Sequence, residues 1–298
     1  MQRFILYIIN PISGTRRKKD LQHFIEKQTA ARGIPYQVFP SVASGDYRFL
    51  RPVIEEYGVT DIVIAGGDGT VSQVVGSLLD VPVNFGVIPC GSGNGLALAA
   101  GISRQPAKAL QTVFTGQARA IDGFLINGRF SCMLCGLGFD ASVAHAFASQ
   151  TRRGLKTYAA LVGRHFFSAK PYHFRIETHG LAFSSEAFFI SIANGNQFGN
   201  HFTIAPKALL SDGQLDIVVV KKMAKPLLLL TILRQVLAGR LKSVENSLRR
   251  PVIYFQTRNL KISNPEGALL HIDGDPAETP AELEIRILDT CFRLICPL

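Results

Sequence analysis

The stretch IAGGDGTVSQ, residues 64–73, decides the fold. It closes an apolar, β-branched run, TDIVIAGG (60–67), and opens a helix-like pattern, TVSQVVGSLLD (70–80). A strand that becomes a helix through glycines is the sequence form of a βα unit. Reading outward, the same alternation recurs. RFILYIIN (3–10), PYQVFPS (35–41) and VNFGVIP (83–89) are strand-like, and KKDLQHFIEKQTAARG (18–33) and YRFLRPVIEEYG (47–58) are helical candidates. This alternation predicts a three-layer α/β domain around a mainly parallel sheet.

Three short loops leave the carboxyl ends of these strands: Asn10-Pro11-Ile12-Ser13-Gly14, Gly66-Gly67-Asp68-Gly69-Thr70, and Pro89 to Gly95. Ligands of an open parallel sheet bind at that end. Glycine lets backbone N–H groups approach a phosphate, and a following helix adds its positive N-terminus. No GxxxxGK[ST] is present, and neither GSGNGL nor GDGTVS completes GxGxxG, which argues against a P-loop and a Rossmann dinucleotide site. Asp68 separates these loops from a plain phosphate cradle. A carboxylate beside phosphates is repulsive unless a cation such as Mg²⁺ lies between them. The competing reading of Asp68 is a helix N-cap.

Beyond about residue 120 the pattern changes. FLINGRFSCMLCGLGF (124–139), YHFRIETHG (172–180), LAFSSEAFFISIANG (181–195) and QLDIVVVKK (214–222) are strand-like, as are VIYFQTRNLKISN (252–264), ALLHIDGD (268–275), AELEIRIL (281–288) and CFRLICP (291–297). Helical stretches fall near 142–168 and 226–242. The expected division is an α/β domain over 1–123 and a β-rich domain, a sandwich or irregular barrel, over 124–298, whose C-terminal end could pack back on the first. The cleft between two such domains is the default place for a site.

Hydrophobic residues make up 47% of the 298 and charged ones 18%, enough for a substantial core. The net charge of +10 favours an anionic partner: nucleotide phosphates, a membrane surface or nucleic acid. Nucleic acid is the weakest of these, because the basic groups are scattered and no zinc finger or RNA-binding aromatic signature occurs. Five cysteines show no framework spacing, and Cys132 and Cys135 sit at an odd offset on a strand, so they should form neither a zinc half-site nor a redox pair. A reducing, cytoplasmic location fits. The start, MQRFILYIINP, lacks the features of a signal peptide, and KPLLLLTILRQVLAGR (225–240) is short of the roughly 18–20 apolar residues that span a bilayer.

The ordered motifs NPISG (10–14), SGD (44–46), GGDGTVSQ (66–73), IPCGSGN (88–94), IDG (121–123), GLGFDA (136–141), APKALLSDGQLD (205–216) and DGD (273–275) resemble the bacterial diacylglycerol kinase-like lipid kinases, relatives of sphingosine and ceramide kinases. The resemblance spans nearly the whole chain. It implies an ATP-binding α/β domain, a β-sandwich domain and an active site between them. It places nucleotide contacts at Asn10, Pro11, Ile12, Ser13, Gly14, Ser41, Gly66, Gly67, Asp68, Gly69, Thr70, Gln73, Gly91, Ser92, Gly93 and Asn94. Asp273 corresponds to a general base for the lipid hydroxyl, with Asp68 a second candidate for that role. Asp68 and Asp122 correspond to carboxylates supporting a catalytic magnesium. A structural magnesium would take the Asp212 side chain and the carbonyls of Leu209 and Gln214. The expected reaction is transfer of the ATP γ-phosphoryl group to a lipid hydroxyl, of diacylglycerol or a sphingoid base, by a cytoplasmic protein docked peripherally at the inner face of the membrane. The apolar 226–237 segment with Lys221, Lys222, Lys225, Arg234 and Arg240 around it is the expected docking element, or else a core helix with a basic rim. Three departures stand out: Gly95 where many relatives carry Asp, Gln73 for Glu, and Asp275 for Glu. An NAD kinase-type phosphotransferase and a catalytically silent nucleotide- or lipid-binding protein are the alternatives.

Overall fold

The structure, a computed structural model, describes residues 3–11, 18–150, 154–199, 202–203, 205, 207–227 and 251–298. It divides into two compact units, one of residues 1–121 with 290–298 and one of residues 122–289.

The first unit runs β1 (Ile5–Ile9), α1 (Lys18–Ala30), β2 (Tyr36–Pro40), α2 (Arg51–Tyr57), β3 (Asp61–Gly66), α3 (Asp68–Ser77), β4 (Asn84–Pro89), α4 (Gly95–Ala99), α5 (Pro106–Thr115) and the start of β5 (Gln117–Ile126). All five residues of β1 are buried, as expected of a strand covered on both faces of a parallel sheet. Pro52 sits in the first turn of α2, where its missing N–H has no helical partner to lose, and Gly58 ends the helix in the left-handed region. The strand order is β2-β1-β3-β4, all parallel. The chain moves outward from β1 to β2, then returns to place β3 on the other side of β1. The order reverses between β1 and β3, which makes that gap the switch point where such sheets bind ligands.

The second unit holds β6 (Arg129–Ser131), β7 (Leu134–Gly138), α6 (Phe139–Ala148), α7 (Leu155–Ser168), β8 (Tyr172–Thr178), β9 (Leu181–Ala193), β10 (Gln197–Gly199), β11 (Phe202–Thr203), β12 (Leu215–Lys221), β13 (Val252–Thr257), β14 (Asn259–Ser263), β15 (Leu270–Ile272), β16 (Asp275–Ala277) and most of β17 (Glu282–Cys296). Its strands pair antiparallel in the order β16-β15-β7-β9-β8-β14-β17, with β12 joining β9 to β13. Strand β9 serves both β8, through Leu181–Ala187, and β7, through Phe189–Ala193. The core takes alternate residues from each strand: Leu215, Ile217 and Val219; Leu260 and Ile262; Leu283, Ile285 and Ile287. This is the β-rich half expected from sequence. The apolar 226–237 segment lies outside the described residues except for Pro226 and Leu227.

VIYFQTRNLKISN is divided into β13 and β14 at Arg258, and the C-terminal runs differ from their sequence reading in the opposite way. AELEIRIL and CFRLICP are a single strand, β17, bent at Thr290, where φ is 43°. No glycine or proline separates the two runs, so nothing forces a turn. The last part of β17 adds to the parallel sheet beside β4, pairing Arg293 with Asn84 and Leu294 with Phe85. Its end lies tight against α5. A Cβ on Gly116 would stand 2.3 Å from the Cys296 carbonyl oxygen and 2.6 Å from that of Thr112. Gly116→Ala should therefore push the C-terminal strand off the sheet and cost about 1–3 kcal/mol, read as a lower urea midpoint. An unchanged midpoint would mean that this contact yields without cost.

Candidate active site

Glycine loops meet at the carboxyl edge of the first unit. Asn10 ends β1; its N–H donates to the Ala65 carbonyl at 3.0 Å, and its Nδ2 donates to Thr70 Oγ1 at 2.8 Å. One side chain thus joins the first loop to the second across the switch point. Pro11 is an exposed turn residue, and Ile12, Ser13 and Gly14 lie outside the described residues. Ser41 follows β2, with its N–H on the Ile9 carbonyl at 3.0 Å. Gln73, on α3, packs against Gly45: a Cβ there would come within 2.9 Å of Gln73 Cδ, and Gly45 has φ +69°.

The second and third loops are nearly in backbone contact. A Cβ on Gly91 would meet Gly67 Cα at 2.7 Å, a separation that real side chains do not reach. Asn94, itself in the left-handed region and buried, folds the third loop on itself. Its Oδ1 accepts the Gly91 N–H at 2.7 Å and its Nδ2 donates to the Gly91 carbonyl at 2.8 Å. Ser92 and Gly93 are the residues so enclosed. Asp68 completes the junction. Its Oδ2 accepts the Gly95 N–H at 2.8 Å and its Oδ1 accepts the Leu96 N–H at 3.0 Å. Asp68 is therefore the first residue of α3 and also caps α4, a helix other than its own. The N-cap reading was half right in chemistry and wrong in partner. A carboxylate offers about four acceptor positions, so these two bonds do not by themselves exclude a cation.

In the second unit the expected residues form two groups. Asp122 is buried at 1% exposure; its Oδ2 accepts the Gly213 N–H at 2.7 Å and its N–H donates to the Leu210 carbonyl at 2.7 Å. The Asp212 Oδ1 accepts the Gln214 N–H at 3.1 Å. Burial raises the Asp212 pKa and the nearby Asp122 charge adds to this, against the Gln214 bond. Asp216, fully buried and bonded by the Tyr254 hydroxyl, is pushed up to about 7, chiefly by burial, with Asp212 adding to it. Crowded carboxylates held beside backbone carbonyls, hard oxygen donors, suit Mg²⁺ or Ca²⁺. The Asp212 side chain and the Leu209 and Gln214 carbonyls, the set expected for a structural ion, are oxygen donors of that type. The structure brings Asp122 to this loop. Among the described residues no three His, Cys, Asp or Glu side chains converge on one metal position, so carbonyls, water or phosphate oxygens would have to complete any shell.

Asp273 has its own set of partners. Asp273 and Gly274, with φ of 52° and 84°, form the two-residue turn between β15 and β16. Positive φ at both central positions is the hairpin geometry that Asp-Gly favours. The Asp273 Oδ1 receives the Ser131 hydroxyl at 2.8 Å and the N–H groups of Met133 and Leu134, each at 3.2 Å. Sequence reasoning missed these partners and also the buried pair beneath them. His271 Nδ1 accepts the Gly274 N–H at 3.3 Å, which leaves Nε2 facing Asp140 Oδ2 at 3.4 Å. Both side chains are buried, and a Cβ on Gly136 would fall 2.0 Å from that Asp140 oxygen and 2.7 Å from the His271 nitrogen. Signals for the pair were present, in Asp140 of GLGFDA and in a histidine two residues before Asp273. Nothing in the sequence said that they meet.

Residues 5–126 match the diacylglycerol kinase catalytic domain family, and residues 134–296 match the YegS C-terminal NAD kinase beta sandwich-like domain. The chain is 30% identical over 276 residues to the diacylglycerol kinase of Bacillus subtilis, covering 90% of this chain and 88% of that protein.

The chain belongs to the diacylglycerol kinase-like lipid kinase family.

Another relative in this lipid kinase family, described as "Probable lipid kinase YegS-like" from Shewanella frigidimarina, is 28% identical over 84% of this chain and 80% of its own length. A solved diacylglycerol kinase structure from Bacillus anthracis superposes with a TM-score of 0.72 over 99% of this chain and 97% of that one, at 19% identity. That likeness establishes the shared fold: a catalytic α/β domain followed by a β-sandwich-like domain.

The capping role of Asp68 has a direct consequence. Asp68→Ala would leave two amide N–H groups of α4 without their charged acceptor. The variant should lose about 1–3 kcal/mol of stability in urea unfolding without any ligand present. A stability equal to wild type would show that water satisfies α4 equally well.

Proposed function

We propose that this chain transfers the γ-phosphoryl group of ATP to the hydroxyl of a membrane lipid, with Mg²⁺ required. The observation that carries the reading is the junction at the β1/β3 switch point. There Asn10, Gly67, Asp68 and Gly91 bring glycine loops and the start of α3 to one edge. Backbone N–H groups and a helix N-terminus are the donors that polyphosphate oxygens need. Family membership supports the kinase assignment, and the names of the relatives support a lipid acceptor.

Positioning and charge neutralisation carry most of phosphoryl transfer. The glycine loops hold and orient the triphosphate. Bound Mg²⁺ would supply the charge that offsets the phosphates, and Asp68 would hold it, directly or through water. Asp122 and Asp212 are assigned to the structural ion. Asp273 takes the proton of the lipid hydroxyl. Its carboxylate is aimed by Ser131 and two backbone amides, and its turn is held by His271 through Gly274. Asp68 is the weaker choice of base, because both its oxygens already serve α4.

Asp273→Asn is the informative variant. Asparagine tolerates the left-handed region, so the turn should persist. With γ-labelled ATP, Mg²⁺ and a lipid panel in mixed micelles, the wild type should label one lipid class. The variant should do so about 100-fold more slowly or worse, with ATP affinity unchanged. Equal rates would remove Asp273 from the mechanism. Label in NAD and in no lipid would replace the lipid acceptor with a nucleotide.

A further inference from the structure

The turn that carries Asp273 rests on two buried polar side chains. His271 is fully buried on β15, and Asp140 is buried in the first turn of α6. His271 lies opposite Gly136 of β7, a residue with no side chain, and the Asp140 carboxylate fills the space where a Cβ of Gly136 would stand. Polar groups taken out of water cost stability, whereas apolar side chains of the same volume would not. The pair therefore calls for a use beyond packing.

Hydrogen bonds fix where the imidazole proton sits. His271 Nδ1 accepts the Gly274 N–H at 3.3 Å, so Nδ1 carries no proton. The ring proton is then on Nε2, the nitrogen that faces Asp140 Oδ2 at 3.4 Å. Asp140 Oδ1 accepts the Ala141 N–H at 2.8 Å, which turns Oδ2 to the ring, and the first turn of a helix suits a negative charge. Tyr158 of α7 and Cys135 of β7 lie near the same carboxylate. Burial raises the pKa of both, with Asp140 adding for Tyr158 and Asp273 and Asp140 adding for Cys135, so neither brings a positive charge to compete for Asp140. Helix α6 also holds β15 one residue earlier, where His145 Nε2 donates to the Leu270 carbonyl at 2.7 Å.

We propose that Asp140 and His271 are positioning residues for the phosphoryl transfer: the Asp140 carboxylate keeps the His271 proton on Nε2, which leaves Nδ1 to accept the Gly274 N–H and fix the turn that presents Asp273. The opposite tautomer would set an Nδ1–H against the Gly274 N–H, donor against donor, and loosen the turn. The inference rests on the reading of Asp273 as the base of a kinase.

The test starts with Asp140→Asn in the full chain. The new amide would donate to Nε2 and drive the ring proton to Nδ1. Nitrogen NMR on isotope-labelled histidine should show the Nε2–H tautomer of His271 in the wild type, assigned by its loss in His271→Asn, and the Nδ1–H tautomer in Asp140→Asn. In the labelled-ATP assay Asp140→Asn should lower kcat about ten-fold or more, with the KM for ATP unchanged, since a displacement of about 1 Å can cost about 100-fold. Asparagine can place its Oδ1 where Nδ1 lies, so His271→Asn should restore most of the turnover lost in His271→Ala. A wild type with its proton on Nδ1, or an Asp140→Asn protein with unchanged tautomer or unchanged kcat, overturns the proposal. So does equal turnover in His271→Asn and His271→Ala, a comparison that decides alone should Asp140→Asn not fold. The tautomer is read without turnover. A switched tautomer together with a wild-type rate in Asp273→Asn would sink the base reading and leave control of the tautomer by Asp140 standing. A slow Asp273→Asn beside a full-speed Asp140→Asn would sink the positioning role alone.

Discussion

The near-contact of Gly67 with Gly91 is the constraint on which the first unit depends. Two backbones can approach this closely only where neither carries a Cβ. Once they do, Asp68 reaches across to the amides of Gly95 and Leu96 and sets the start of α4. Asn94 closes the third loop from within, and Asn10 ties the first loop to Thr70. Each bond is modest in net energy, about 1 kcal/mol or somewhat more for a charged partner. Together they remove the freedom of segments that would otherwise have to be ordered when a ligand binds, a cost that pre-organisation avoids.

The second unit reaches a similar end by other means. Here a two-residue turn carries the carboxylate, and the surrounding strands aim it. Ser131 and the amides of Met133 and Leu134 come from the link between β6 and β7, and His271 from β15. The His271–Asp140 pair beneath is buried, with Nε2 and Oδ2 3.4 Å apart. Close packing around Gly136 keeps the two in register. A polar group with so little room has few alternative positions, so the turn above it is fixed from below as well as from the side.

The alternation of apolar runs and helical patterns made the parallel sheet legible, because a buried parallel strand such as Ile5–Ile9 has no choice but to be apolar throughout. The period-2 runs made the antiparallel half legible for the complementary reason. Asp68, Asp122, Asp212 and Asp273 were identifiable as carboxylates beside glycines, and the structure places them at the start of a helix, in a strand, in a loop and in a turn, each with named partners. Their grouping was not legible. Asp122 belongs beside the Asp212 loop, and Asp68 beside α4. Both facts depend on contacts across 91 and 27 residues of chain, which no local spacing encodes. The pairing of His271 with Asp140 was hidden for the same reason. The fusion of two apparent strands into β17 was hidden for a different one. A positive φ at a threonine carries no sequence signal, since most threonines avoid it.

That bend at Thr290 bears on the order in which the molecule can be made. The first unit is discontinuous in sequence: its sheet receives a strand from 290–298 only after all of the second unit has been synthesised. Chains fold from the N-terminus as they emerge, domain by domain. Here the nascent first unit must wait with the flank of β4 uncovered while 168 residues, 122–289, leave the ribosome. The second unit, contiguous in sequence, can close first. The first unit, although translated earliest, would then be the last to reach its full complement of strands.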